Sequence, residues 1–246
     1  MRDYNYSTLA KYYDVLENVE SIKSFNPVLY RILRKNKVRS VLDMTCGTGV
    51  QAGYLHKKGM KVAASDFNAE MVKIAKSKYK GIKFRKGDIR TSKYGNFDAA
   101  ISIFNAIGHL SKKDFEKAIK NVGENLKEKG IYVFDIFCYD YMKDNFIRHE
   151  FIDLAKEVES KFFVRVNNNK INKKTKLISF TQKIYVQDGM NRPKIFNEKW
   201  NMQIYSSKEL KDILNKNGFE VLEFLNMSGK KYKPNSSLIL TIAKKK

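Results

Sequence analysis

Val41-Leu42-Asp43-Met44-Thr45-Cys46-Gly47-Thr48-Gly49-Val50-Gln51-Ala52-Gly53 is the stretch that decides the fold. A short apolar run ends in an aspartate, turns through Gly-x-Gly and passes into a helical pattern. The paired glycines permit a sharp bend and the close approach of a ligand to the backbone. The helix behind them would aim its first unbonded N–H groups at that ligand. A polar, partly anionic small molecule is therefore expected at the tip of this strand. A dinucleotide fingerprint would put its third glycine where the chain has Ala52, and Gly53 comes one place late. The phosphate-loop pattern with its Lys-Ser/Thr is absent.

Working outward, strands and helices alternate from Val38 to about Phe137. This predicts an α/β fold, a doubly wound, mostly parallel sheet with helices on both faces. Strands are expected at Val41–Met44, Lys61–Ser65, Ile82–Arg85, Phe97–Phe104 and Ile131–Phe137. Asn68 is a good N-cap for a helix through Met71, Ile74 and Ala75. Ser111-x-x-Asp114 opens another along Phe115, Ala118, Ile119, Val122 and Leu126, with Gly130 expected to end it. Beyond residue 150 the pattern becomes antiparallel. Lys161–Val166, Lys176–Val186 and Ile195–Tyr205 read as three strands parted by turn-rich segments. Ser206-x-x-Glu209 starts a further helix, and Phe219–Leu225 and Ser237–Ala243 would complete a seven-stranded main sheet. The expected organisation is one domain over 1–246. It has an N-terminal helical cap at 1–37, a ligand-binding core at 38–149, a three-stranded antiparallel insertion at 150–205, and a C-terminal helix with final strands at 206–246.

A chain of 246 residues, 43% hydrophobic, can bury a substantial core. No apolar run reaches the roughly 18 to 20 residues that cross a bilayer, so no membrane association is expected. Residues 1–13 are polar and aromatic, unlike a signal peptide. Two cysteines, Cys46 and Cys138, give neither a disulfide framework nor metal-ligand spacing. A reducing cytoplasm fits, and no metal is expected. The net charge is +22, which raises a nucleic-acid partner. However, Lys outnumbers Arg about four to one, and the basic residues are spread along the chain rather than gathered for bidentate phosphate recognition.

The spacing Asp43-x-x-Cys46-Gly47-Thr48-Gly49 resembles the first motif of class I S-adenosylmethionine-dependent methyltransferases. Further stretches resemble glycine N-methyltransferase and the amino-sugar N-methyltransferases: Ile103-Phe104-Asn105-Ala106-Ile107-Gly108-His109-Leu110 after the fourth strand, and Cys138-Tyr139-Asp140-Tyr141 after the fifth. The resemblance implies S-adenosylmethionine as cofactor and S-adenosylhomocysteine as product. It implies that Asp43 organises the glycine loop and that Cys46, Gly47, Thr48, Gly49 and, after the fourth strand, Phe104 bind the cofactor. Asp66, about twenty positions after the turn, is placed to accept ribose hydroxyls. Phe67 and Met71 are candidates to pack on the adenine. Asp88, with Ile89, resembles the position that accepts the adenine amino group.

On the acceptor side, His109 is a candidate base or hydrogen-bonding group at the C-terminal strand ends; a helix-start histidine bonded to backbone is the alternative. Asn105, Tyr139 and Arg165 are further candidates, together with the tyrosines of the N-terminal segment, Tyr6 for the substrate and Tyr13 over the cofactor. A glycine-type acceptor would call for a cation against its carboxylate; the insertion offers Arg165 and Arg192. The expected activity is methyl transfer to a small molecule, most simply an amine nitrogen. The alternatives are an RNA methyltransferase and a binding protein without transferase activity. The segment after the fourth strand lacks the Asn/Asp-Pro-Pro-Tyr/Phe pattern of base-amino methyltransferases. Oligomeric state is open.

Overall fold

β1 (Ser40–Asp43) is buried along its whole length, as an apolar run at the centre of a parallel sheet requires. The computed structural model describes residues 9–17, 19–146 and 150–246. In it, β1 is joined on one side by β2 (Lys61–Asp66) and β3 (Lys83–Lys86), and on the other by β4 (Phe97–Ser102) and β5 (Leu126–Phe137), all parallel. β11 (Leu238–Lys245) adds antiparallel to β5, and β10 (Phe219–Leu225) antiparallel to β11. The order is β10-β11-β5-β4-β1-β2-β3. The chain runs outward from β1 to β3, then returns to β4 on the other side of β1. The order therefore reverses between β1 and β4, and open α/β sheets bind ligands outside the strand ends at such a point.

Side chains alternate between two cores. Val41, Ile101 and Val133 face the layer of helices Val19–Lys35, Val50–Lys57 and Ala69–Lys78. Leu42, Ala100, Tyr132 and Phe134 face helices Lys112–Glu124 and Ser207–Lys216, with Phe115, Ile119, Leu210 and Leu214 fully buried there. The caps work as their chemistry dictates. Asn68 accepts from the N–H groups of Glu70 and Met71. Ser206 and Glu209 form a complete capping box. Gly130 does not end its helix. The helix stops at Glu124 on the buried Asn125, whose amide bonds Ser92, Asn121 and Tyr94, and Gly130 lies inside β5.

The insertion holds four strands rather than three: β6 (Phe151–Val158), β7 (Lys161–Asn172), β8 (Leu177–Asp188) and β9 (Lys194–Gln203), in that order and antiparallel. β6 hides in the sequence because it is an edge strand. It bulges at Asp153, exposes Ile152, and contains Ala, Lys and Glu, which favour helix. Its partner sheet packs Phe163, Ile184 and Val186 on Leu9 and Leu16 of the N-terminal segment. Among the described residues, no helix is long and apolar enough to cross a membrane.

Candidate functional site

The turn after β1 is fixed from both neighbouring strands. Met44 N–H donates to the Ile101 carbonyl of β4 and Cys46 N–H to the Ser65 carbonyl of β2. Gly47 and Gly49 both have positive φ, 51° and 87°, which only glycine adopts without strain. They serve different needs. A Cβ on Gly49 would come within 3.0–3.2 Å of Tyr79, Ala75 and Phe84, so Gly49 lets the next helix pack. Among the described residues, a Cβ on Gly47 would meet nothing nearer than the Tyr13 ring at 3.9 Å, leaving backbone open to a ligand. Asp66, at the end of β2, braces this turn. One carboxylate oxygen accepts from Gly47 N–H at 2.8 Å, the other from Asn68 N–H at 2.8 Å.

Two acids therefore meet at the turn, the buried Asp43 and the half-buried Asp66. Burial pushes Asp43 up to about 8, and the neighbouring Asp66 adds to it. Asp66 is raised by burial, against the pull of its two backbone bonds. The Cys46 thiol, also buried, is pushed up, which makes it inert as a nucleophile. Two carboxyl groups this close suit a ligand that brings positive charge and hydroxyl donors, and S-adenosylmethionine carries a sulfonium, an ammonium and ribose hydroxyls. Beside Asp66, the Phe67 ring is 57% exposed, a large apolar face open to a planar base. Met71 and Ile89 are buried. Asp88 has both oxygens on Arg90, which also reaches Asp114.

Across the crevice, the loop after β4 is held in a strained form. Phe104 and Asn105 have φ of 66° and 54°, a region that costs non-glycine residues about 1–2 kcal/mol each. Asp135, fully buried on β5, accepts from both their N–H groups, at 2.6 and 3.0 Å. The Asn105 side chain accepts from Phe137 N–H and donates to the Met202 sulfur of β9, tying the main sheet to the insertion. Gly108 is glycine because a Cβ would lie 2.9 Å from the Asn105 amide oxygen. His109 is half-buried at the end of this loop, and burial pushes its imidazole down to about 4. It is neutral at physiological pH.

These groups oppose one another in their effect on stability. Asp135 is pushed up to about 7 by burial and Asp43 to about 8. The fold keeps protons that the unfolded chain loses near pH 4, so both make stability fall as pH rises through that interval. His109 acts in the other sense between about 4 and its ordinary 6.5, where the unfolded chain binds the extra proton. Above about pH 6.5 the carboxyl effect remains, and the raised Cys46 thiol adds to it in the same sense toward pH 8.5. The melting temperature of the ligand-free protein is therefore expected to fall between about pH 6.5 and 8.5, less so in Asp43→Asn. A rise over that range at constant ionic strength would be the contrary result.

The N-terminal segment closes over the turn. The Thr48 hydroxyl donates to Asp14 at 2.7 Å, and Asp14 also pairs with Lys78. Tyr13 stands over Gly47, and Tyr12 packs edge-on against Phe163 and Phe196. Glu17 pairs with Arg165 at 2.8 Å. The guanidinium expected to meet an acceptor carboxylate is instead committed to the protein, with Nε and Nη2 on Asp153 and Nη1 on Glu17. Arg165→Met is expected to cost about 2–3 kcal/mol in urea unfolding. This is less than a fully buried pair would lose, because Asp153 and Glu17 stay partly hydrated. A loss below about 0.5 kcal/mol would make the pair a surface ornament.

Tyr139 starts the helix Tyr139–Asn145, with its hydroxyl on the Lys173 carbonyl and Lys176 over its ring. Tyr6 lies outside the described residues. Asp14, Glu17, Asp135 and Asp153 are the residues that sequence reasoning missed. Asp135 carried a signal, a lone acid inside the apolar run Ile131–Phe137.

Residues 41–130 match a family model described as a methyltransferase domain. The chain is 29% identical over 225 residues to an uncharacterized protein of Methanocaldococcus jannaschii, covering 88% of this chain and 75% of that one. It is 32% identical over 121 residues to glycine/sarcosine N-methyltransferase of Parasynechococcus marenigrum, covering 45% and 42%. To dTDP-3-amino-3,4,6-trideoxy-alpha-D-glucopyranose N,N-dimethyltransferase of Streptomyces venezuelae it is 26% identical over 102 residues, covering 41% and 43%. The match thus spans under half the length of these two named enzymes. The fold is that of an S-adenosylmethionine-dependent methyltransferase from Clostridium acetobutylicum, with a TM-score of 0.82 at 22% identity over 97% of this chain and 98% of that one.

Proposed function

We propose that this chain, a class I S-adenosylmethionine-dependent methyltransferase, places the methyl group on the nitrogen of a small amine. The cofactor supplies a methyl group made electrophilic by its sulfonium sulfur. The chain's own residues hold the reactants in line and exclude water. Asp43, Asp66 and the open backbone at Gly47 are the cofactor contacts, with Phe67 and the Asp88-Ile89 segment on the base side and Tyr13 above. Asn105 and His109 border the acceptor.

The observation that carries this reading is the enclosure. The N-terminal segment is latched to the glycine turn through Asp14 and Thr48, and to the insertion through Glu17 and Arg165. A site roofed this way suits a compact acceptor. The choice of nitrogen follows from His109. A neutral amine attacks with its own lone pair, whereas an alcohol needs a base near the working pH. An imidazole pushed down to about 4 is a weak base. It can still hydrogen-bond the acceptor. The two named relatives both methylate nitrogen by their names.

The test is transfer from S-adenosylmethionine carrying a labelled methyl, offered to sarcosine, glucosamine and bulk tRNA, with the product carbon identified by NMR. An N-methyl signal on an amine is expected, little affected by salt. The charge of +22 motivates the rival outcome. Label only in tRNA, lost steeply as salt rises, would replace the amine reading with an RNA one.

A further inference from the structure

The inward face of the insertion carries a cross-strand row that the cofactor site does not use. Register places Asn167 of β7 opposite Gln182 of β8, and Gln182 opposite Glu198 of β9. One step along, Asn169, Phe180 and Trp200 form the next row, with the Phe180 and Trp200 rings stacked at 5.0 Å. Asn167, Asn169, Gln182, Glu198 and Trp200 are all buried. The same face is covered at one end by Leu9, Tyr12 and Leu16, and at the other Met202 meets Asn105 of the β4 loop. The polar rows therefore stand between the N-terminal segment and the loop that carries His109, the place an acceptor would occupy.

The amides in this row are not free to choose their orientation. Asp153 is held by the Arg165 fork and accepts from the Asn167 amide nitrogen at 2.7 Å. That turns the Asn167 oxygen toward Gln182, whose nitrogen donates to it at 2.7 Å. Gln182 must then present its oxygen, Oε1, onward. Among the described residues, this oxygen is buried without a hydrogen-bond partner, and so is Asn169 Oδ1. A buried unsatisfied acceptor costs about 1–3 kcal/mol, recovered when a donor arrives.

We infer that Gln182, oriented by the chain Arg165–Asp153–Asn167, sets acceptor specificity together with Asn169. The favoured substrates are then amines bearing hydroxyl groups, and amino-acid carboxylates are rejected. Hydroxyl and amine N–H groups donate to the waiting oxygens. A carboxylate would bring oxygens against oxygens, and the nearby cation Arg165 is already neutralised by two acids. The stacked Phe180 and Trp200 rings supply an apolar face for the carbon skeleton. This inference rests on the amine reading above and names its substrate class.

Trp200 is the sole tryptophan of the chain, so its emission reports this wall directly. The experiment titrates the protein, loaded with S-adenosylhomocysteine, with glucosamine, glycine and cyclohexylamine, and follows Trp200 fluorescence. Glucosamine is expected to bind, and glycine to bind at least tenfold more weakly. Gln182→Leu and, separately, Asn169→Leu are expected to weaken glucosamine at least tenfold, with cyclohexylamine and S-adenosylhomocysteine affinities unchanged. If Gln182→Leu fails to fold, Asn169→Leu carries the test. Glycine binding as tightly as glucosamine, no glucosamine binding, or leucine variants that bind glucosamine normally would overturn the inference. In a parallel turnover assay, methylation of glycine alone would leave the amine reading standing while this inference fails. Methylation of none of the three amines by protein that binds S-adenosylmethionine would remove the amine reading itself.

Discussion

Asp66→Ala is expected to weaken S-adenosylmethionine binding by about 3 kcal/mol, more than a hundredfold in Kd. The loss combines two effects. The carboxylate is the proposed acceptor for ribose hydroxyls at the tip of β2, and hydrogen bonds to a charged group contribute about 1.5–3 kcal/mol. It also braces the glycine turn, because Gly47 N–H and Asn68 N–H both donate to it at 2.8 Å. Without the brace, the backbone that a ligand approaches is no longer preorganised. Asp66→Asn keeps one acceptor oxygen but turns an N–H donor toward a backbone donor, so it should fall between the two. Calorimetric titration of each variant, with a thermal melt to show that it is folded, gives the result. Unchanged affinity in folded Asp66→Ala would remove this residue from the cofactor site.

Asp135→Ala is the second large effect, and it acts through the acceptor side. The substitution leaves the N–H groups of Phe104 and Asn105 without their partner, at about 1–3 kcal/mol for each buried orphan. It also releases two residues from positive φ. The loop would relax toward ordinary backbone and move Asn105 and His109 together. Urea unfolding is expected to show a loss of about 3 kcal/mol. In the protein that remains folded, kcat should drop more than tenfold with the S-adenosylmethionine Kd within about threefold of wild type, since the proposed cofactor contacts at Asp43, Gly47 and Asp66 lie across the crevice. A stability change below about 1 kcal/mol, or a kcat that survives, would mean that the loop holds its shape without Asp135.

The fold was legible where local chemistry and global topology agree. The run Val41–Asp43 followed by two glycines can do little but end a buried strand and turn, and the caps at Asn68 and Ser206 are local hydrogen bonds. What stayed hidden depends on partners far along the chain. β6 carries no alternation of its own and becomes a strand because β7 offers an edge. Arg165 reads as a spare cation, and only the fold brings Glu17 and Asp153 to its two sides. Asp88 reads as an acid without a partner, and only the fold shows that Arg90, two residues on, folds back to share both its oxygens. Gly130 punctuates a strand and not a helix, because the buried Asn125 already supplies the stop.

The division of labour across the crevice also follows from the topology. β1 and β2 contribute acids and open backbone, which suit a cationic cofactor. β4, β5 and the insertion contribute amides, a neutral imidazole and aromatic rings, which suit an uncharged nucleophile. The N-terminal segment touches both sides, through Asp14 and Glu17.

Calorimetric titration of the whole chain with S-adenosylmethionine and S-adenosylhomocysteine tests the central claim most directly. One site per chain for each ligand is expected, with protons released near pH 7 as Asp43 ionises against the bound cation, and with the release abolished in Asp43→Asn. A cooperatively folded chain that takes up neither ligand would contradict the assignment of the β1–β4 crevice as a methyltransferase site.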